Sequence, residues 1–188
     1  MKQRLLYSII ALLVLSNIPS TKASEDFAVI LKPEWQDLES NPEKAKIFGG
    51  KWILAGSIVF KKRAKETVHL NRLYLQWQGA CIDKLIGSLY RVEPDKKFIP
   101  IQDNLVCDGI WNKAQQTLML NFDKKETIGF NNTFYLVLTV PNTLESILKK
   151  GSFSLLTSSL PEEFKICAVA HPLTLSFDVL GAQITKLD

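Results

Sequence analysis

Metal-ligating side chains are scarce in this chain: three Cys (Cys81, Cys107, Cys167) and two His (His69, His171) in 188 residues. A closed zinc site takes about four N or S ligands, so no zinc centre is expected. Two Met leave little for a copper carrier either. The stretch D-N-L-V-C-D-G at 103–109 lacks EF-hand spacing. Asp103, Asn104 and Asp108 therefore read as a turn with Asx hydrogen bonds rather than calcium ligands. G-x-S-x-G is missing, which excludes a nucleophile elbow. Gly-rich phosphate loops are missing too. A Cys nucleophile needs a base in reach, and the Cys167…His171 spacing fits no such arrangement. No cofactor, metal or catalytic residue is expected.

Long apolar runs are also lacking. The longest is Leu5 to Leu15, eleven residues, against the roughly 20 that a spanning helix needs. Lys2 and Arg4 precede it, and T-K-A at 21–23 follows with small residues at the two positions a signal peptidase inspects. That order is a signal peptide over residues 1–23, removed on export. The mature chain is then expected to be periplasmic or secreted and not integral to a membrane.

The charge changes with it. The full chain carries 23 Lys+Arg against 19 Asp+Glu. Removing Lys2, Arg4 and Lys22 leaves 20 against 19, a net of +1. Bulk charge therefore argues for no nucleic-acid partner. One local cluster remains, Lys61, Lys62, Arg63 and Lys65. It reads as a solvated turn between strands, with a basic contact patch as the alternative.

What is present is a β pattern. Composition is 46% hydrophobic and 22% charged, which sets aside disordered and collagenous chains. Residues 24–50 interleave acidic residues with Pro33 and Pro42 and close on Gly49-Gly50, and are expected to be an irregular arm. From Lys51 the chain reads as short strands. They fall at Trp52–Phe60, Leu73–Trp77, Leu85–Val92, Phe98–Ile101 and Leu105–Trp111, the last broken by a turn at Asp108-Gly109. More follow at Thr117–Phe122, Thr133–Val140, Ser152–Thr157 and Leu173–Val179, with 183–187 as a further candidate. Val68 and Leu70 fall on the opposite parity to Leu73, Leu75 and Trp77. A β-bulge near Asn71-Arg72 would bring all five to one face. One short helix near 143–150 is expected, capped by Asn142 or Thr143.

Strands without long helices between them disfavour a βαβ fold. The expectation is an all-β domain over 51–188: a single antiparallel β-sandwich, immunoglobulin-like or jelly-roll. The leader and the Lys-rich turns look bacterial, and the chain loosely resembles small exported β-sandwich proteins of Gram-negative bacteria.

Export favours disulfides, and Cys81–Cys107 is the best pair. Its loop of roughly 25 residues would stabilise the fold by about 3–4 kcal/mol on the chain-entropy model. Cys167 in F-K-I-C-A-V reads as a buried small side chain, and His69 as one side chain on a strand. Asn131-Asn132-Thr133 reads as a hairpin turn. Trp111, Tyr90 and Tyr74 are the candidate ligand-binding aromatics, while Trp77 should face inward.

The leading expectation is a non-catalytic exported protein with a protein or cell-envelope partner. A carbohydrate- or small-ligand-binding module, with a saccharide as the ligand class, is the alternative. A hydrolase with an unrecognised carboxylate pair is the second. If the N-terminal reading holds, the exported protein begins at Ser24, which its intact mass will show; an unprocessed mass with the protein retained on membranes would reject it.

Overall fold

The computed structural model describes residues 26–38, 51–63, 65–91, 98, 105–168 and 173–177. Nine strands are present among them. They are β1 (Phe27–Leu38), β2 (Lys51–Lys62), β3 (Val68–Gln78), β4 (Ile86–Arg91) and β5 (Leu105–Asn112). β6 (Thr117–Ile128), β7 (Asn131–Val140), β8 (Ser152–Leu155) and β9 (Thr174–Ser176) complete the set. Two short helices are α1 (Asn142–Leu148) and α2 (Glu162–Ala168). The strands form one antiparallel sheet in the order β1-β2-β7-β4-β5-β6-β3-β8-β9, curled until it is nearly barrel-shaped.

Alternation builds the interior. Leu73, Leu75 and Trp77 of β3 point inward with Leu118 and Leu120 of β6, and all are buried. The β3–β6 register breaks between Leu70 and Arg72. The break lets Val68 and Leu70 join the same buried face, as the change of parity predicts. Phe134 of β7 meets Phe60 of β2 and Phe122 of β6 edge to face, each with centroids 6.0 Å apart. Each fully buried Phe or Leu contributes about 1.5–3 kcal/mol, so this interior dominates the stability.

β5 is the hinge of the architecture. Its first half pairs with β4, Cys107 opposite Leu89 and Asp108 opposite Ser88. Its second half pairs with β6, from Gly109 opposite Leu120 to Asn112 opposite Thr117. The expected turn at Asp108-Gly109 is therefore absent, and the strand runs through. Ser88 Oγ donates to Asp108 Oδ1 at 2.6 Å, holding the Asp on the strand. Gly109 is there for close approach. A Cβ on it would lie 2.6 Å from Leu118 Cδ1 and 2.8 Å from the Gly87 carbonyl oxygen.

Two further expectations are corrected. The supposed irregular arm contains β1, whose Phe27, Val29 and Leu31 alternate on one face. Pro33 is accommodated because the register slips between Pro33 and Gln36. The second correction is α2, where Pro161 and two acidic first-turn residues start a helix. Its Phe164 is fully buried, 5.2 Å from the Phe27 ring and 5.3 Å from Phe60.

α1 forms where expected, but Pro141 occupies its cap and no side chain caps it. The signal segment 1–23 and the strand expected at 183–187 lie outside the described residues, as does the strand expected at Phe98–Ile101 apart from Phe98, which is in no strand.

Gly109→Ala is expected to cost about 1–3 kcal/mol by overpacking Leu118 against Gly87. Urea denaturation will show it as a lowered midpoint at unchanged slope.

Candidate functional site

The outer face of β5, β6 and β3 carries the candidate site. Because Leu118 and Leu120 point inward, Thr117 and Met119 must point out. On β3 the same rule puts Tyr74 and Gln76 outside, and on β5 it puts Ile110 and Asn112 there. The register turns these into two rows. Ile110 lies opposite Met119, and Met119 opposite Tyr74, making an apolar row across three strands. Asn112 lies opposite Thr117, and Thr117 opposite Gln76, making a polar row beside it. Adjacent members stand roughly 5 Å apart, the strand spacing. Leu156 extends the apolar row, its N–H donating to the Tyr74 carbonyl at 2.8 Å. Ile110, 57% exposed, is one of two large hydrophobic side chains so exposed among the described residues.

Between the rows lies an open groove of about 500 Å³ that also reaches Gln115 in the β5–β6 turn. Its polar floor is pre-organised. Gln76 Nε2 donates to the Gln115 carbonyl at 2.6 Å, and Thr117 Oγ1 donates to Gln76 Oε1 at 3.0 Å. Asn112 Oδ1 accepts from the Gln115 N–H, and Asn112 Nδ2 donates to Gln115 Oε1, both at 3.1 Å. The Tyr74 hydroxyl accepts from Arg72 Nη1 at 3.1 Å, leaving its own proton to donate. No carboxylate, His or Cys lines the groove. It offers amides, hydroxyls, a thioether and one aromatic ring. Among the described residues no group of three or more His, Cys, Asp or Glu is placed to hold a metal ion.

The β5–β6 turn owes its shape to Gln116, a non-glycine residue with φ of 51°. Its side chain fixes the loop that follows β3. Oε1 accepts from the Ile82 N–H at 2.7 Å, and Nε2 donates to the Ile82 carbonyl at 3.0 Å. Nε2 also donates to the Lys113 carbonyl at 2.6 Å. Those bonds offset the roughly 1–3 kcal/mol that a sparsely populated backbone conformation costs.

Of the three aromatic candidates, Tyr74 alone is in the groove. Trp111 is on β5 but on the inward face, packed against the core, with Nε1 donating to the Ile82 carbonyl at 3.1 Å. Tyr90 is buried on β4, its ring 5.8 Å from Phe98, which stacks on Tyr135 at 4.8 Å. Burial, with the Asp108 charge second, holds the Tyr90 hydroxyl above its ordinary range. The structure thus scatters the three. Sequence reasoning missed Gln76, Asn112, Gln115, Thr117, Met119 and Leu156. The parity of Met119 between Leu118 and Leu120 was the available signal.

The expected Cys81–Cys107 bridge is not formed, and both thiols are free, Cys81 exposed and Cys107 buried. Cys81 Sγ accepts from Gln116 Nε2 at 3.4 Å, beside the β5–β6 turn. Cys107 pairs with Leu89, five positions before β5 ends at Asn112. At about 3.4 Å per residue that is roughly 17 Å along the strand, against the 7 Å or so between Cα atoms that a bridge allows. Burial first, then Asp108, pushes the Cys107 thiol up to about 12. The side chain of Cys167, and all of His171, Asp103 and Asn104, lie outside the described residues. His69 is an exposed β3 residue, its Nδ1 3.2 Å from Thr127 Oγ1.

In comparison with known proteins, the chain matches no protein-family model, no curated protein and no solved structure.

Because Cys81 is exposed and Cys107 buried, Cys81 is expected to alkylate at pH 8 in the folded protein while Cys107 stays protected until urea unfolds it. Peptide mass mapping before and after unfolding will check both sites.

Proposed function

We propose that this chain is an exported, non-catalytic binding protein that works by contact with a protein partner of the cell envelope, and that the groove on β5, β6 and β3 is its contact surface. The observation that carries this reading is the pair of rows. Ile110, Met119, Tyr74 and Leu156 form an apolar strip at the surface, flanked by the polar row of Asn112, Thr117 and Gln76. An apolar centre with a polar margin is the general anatomy of a protein contact. The export half of the reading is supported by the basic-then-apolar order of residues 2–15.

On the fold, the reading is a two-layer sandwich whose layers share β5. Its support is that Phe122 of β6 packs on Phe134 of β7, and that a Cβ on Gly87 of β4 would meet Leu118 of β6 at 2.6 Å. Those contacts cross the interior instead of running along the sheet.

A second reading has its own observation. The Tyr74 ring lies beside the amides of Gln76, Asn112 and Gln115, a set that suits a saccharide or another small polyhydroxy ligand. The hydrolase alternative gains nothing from a groove without carboxylates.

The test is envelope-extract capture with the wild-type protein and Met119→Lys, alongside a glycan array with Tyr74→Ala. Met119→Lys is expected to weaken partner retention roughly ten-fold, as a central contact residue does. Its urea midpoint should hold, because surface changes move stability by about 0.5 kcal/mol or less. Retention of the same proteins by both forms would overturn the leading reading. Glycan binding lost in Tyr74→Ala would establish the second.

A further inference from the structure

A different surface, at the other end of the β3–β6 pair, has chemistry that the groove does not share. The β6–β7 turn projects Phe130, which is 74% exposed, more than any other large hydrophobic residue described. The turn does not need that ring. The Gly129 N–H donates to Asn132 Oδ1 at 2.6 Å, a side-chain bond that ties the two sides of the turn together. A single exposed hydrophobic side chain is ordinary on a protein surface; what sets Phe130 apart is the charge around it.

The neighbours of Phe130 are cationic. Lys61 lies opposite Asn131 in the β2–β7 register, one residue from the ring. The Lys62 N–H donates to the Phe130 carbonyl at 3.0 Å, tying the end of β2 to this tip. The chain then enters the β2–β3 turn, which carries Arg63 and Lys65, both exposed like Lys61. The Arg63 N–H donates to the Asp26 carbonyl at 2.7 Å, so this turn is braced on both sides. Glu66 is its one acidic side chain, and Lys62 is turned inward with Nζ donating to the Glu66 carbonyl. The cluster that reads as a solvated turn in the sequence thus frames an exposed aromatic ring in the structure.

We propose that this tip docks on an anionic lipid surface, with Phe130 entering the headgroup region and Lys61, Arg63 and Lys65 contacting lipid phosphates. Charge complementarity selects the partner: a ring within a cationic rim matches an apolar layer beneath an anionic one. A flat acidic protein would match the cations but not a lone projecting Phe. Docking here leaves the groove free, because Gln76 and Thr117 lie toward the opposite ends of β3 and β6. The inference therefore stands independently of the groove reading.

Flotation of the full chain with vesicles of phosphatidylcholine alone, or containing about 30% phosphatidylglycerol, tests it. Wild type is expected to prefer the phosphatidylglycerol vesicles and to lose that preference at about 0.5 M salt. Phe130→Ser is expected to weaken binding to them roughly ten-fold. Lys61→Gln, Arg63→Gln and Lys65→Gln should each weaken it about five-fold. These single neutral changes leave the ladder bonds in place, so a folding failure does not cloud the result. Equal binding to both vesicle types overturns the proposal, as does wild-type behaviour of Phe130→Ser. Tighter binding to duplex DNA than to vesicles, indifferent to Phe130→Ser, would assign the cations to a polyanion and overturn it too.

Discussion

The architecture depends on the contact between Gly87 of β4 and Gly109 of β5 under the side chain of Leu118. At this point β5 leaves β4 and takes up β6, so the sheet must turn. The turn is tight because neither glycine has a Cβ, and Leu118 fills the space both leave. A wider corner would part the interior faces, and Phe122 would lose its contact with Phe134. It would also rotate the outer faces of β5 and β6, and with them the rows that make the groove. A close approach inside the sheet therefore sets geometry on its surface.

The groove and the Phe130 tip show two ways of presenting apolar surface. In the groove, Met119 and Tyr74 are part of the sheet and surrounded by amides that already satisfy one another. A ligand there displaces little bound polarity and meets a rigid surface, so little ordering cost is added on binding. At the tip, one ring projects from a turn that is closed without it. That arrangement suits insertion into a soft phase rather than a fit to a shaped partner.

Much of the fold was legible in the sequence. The alternation of Leu73, Leu75 and Trp77, and their clash of parity with Val68 and Leu70, fixed both the inward face and the register break. β1 was misread because Pro33 and the acidic residues Glu34, Asp37, Glu39 and Glu43 outweighed F-A-V-I-L. An edge strand tolerates Pro, since one row of its N–H groups has no ladder to join. Asp108-Gly109 was misread because Gly can mean either a turn or a close approach, and only the neighbouring strand decides. The groove was hardly legible. Tyr74 and Met119 are far apart in the chain, and register across such separations is set by packing rather than local pattern. Trp111 and Tyr90 were plausible surface aromatics until Cys107 and Gly109 fixed Trp111 inward and Phe98 covered Tyr90.

The strand count has one more consequence. Every neighbouring pair in the sheet is antiparallel. Nine is odd, so β1 and β9, at the two ends of the order, run in the same direction. A ring built only of antiparallel pairs closes with an even number of strands. The seam here is out of parity, and among the described residues β1 and β9 share no ladder. It is sealed by side chains instead: the Trp35 ring lies 5.2 Å from Phe177, and Leu175 reaches the space beside Gly56. Among the described residues the contacts across this seam are apolar, and no ladder hydrogen bond joins β1 to β9.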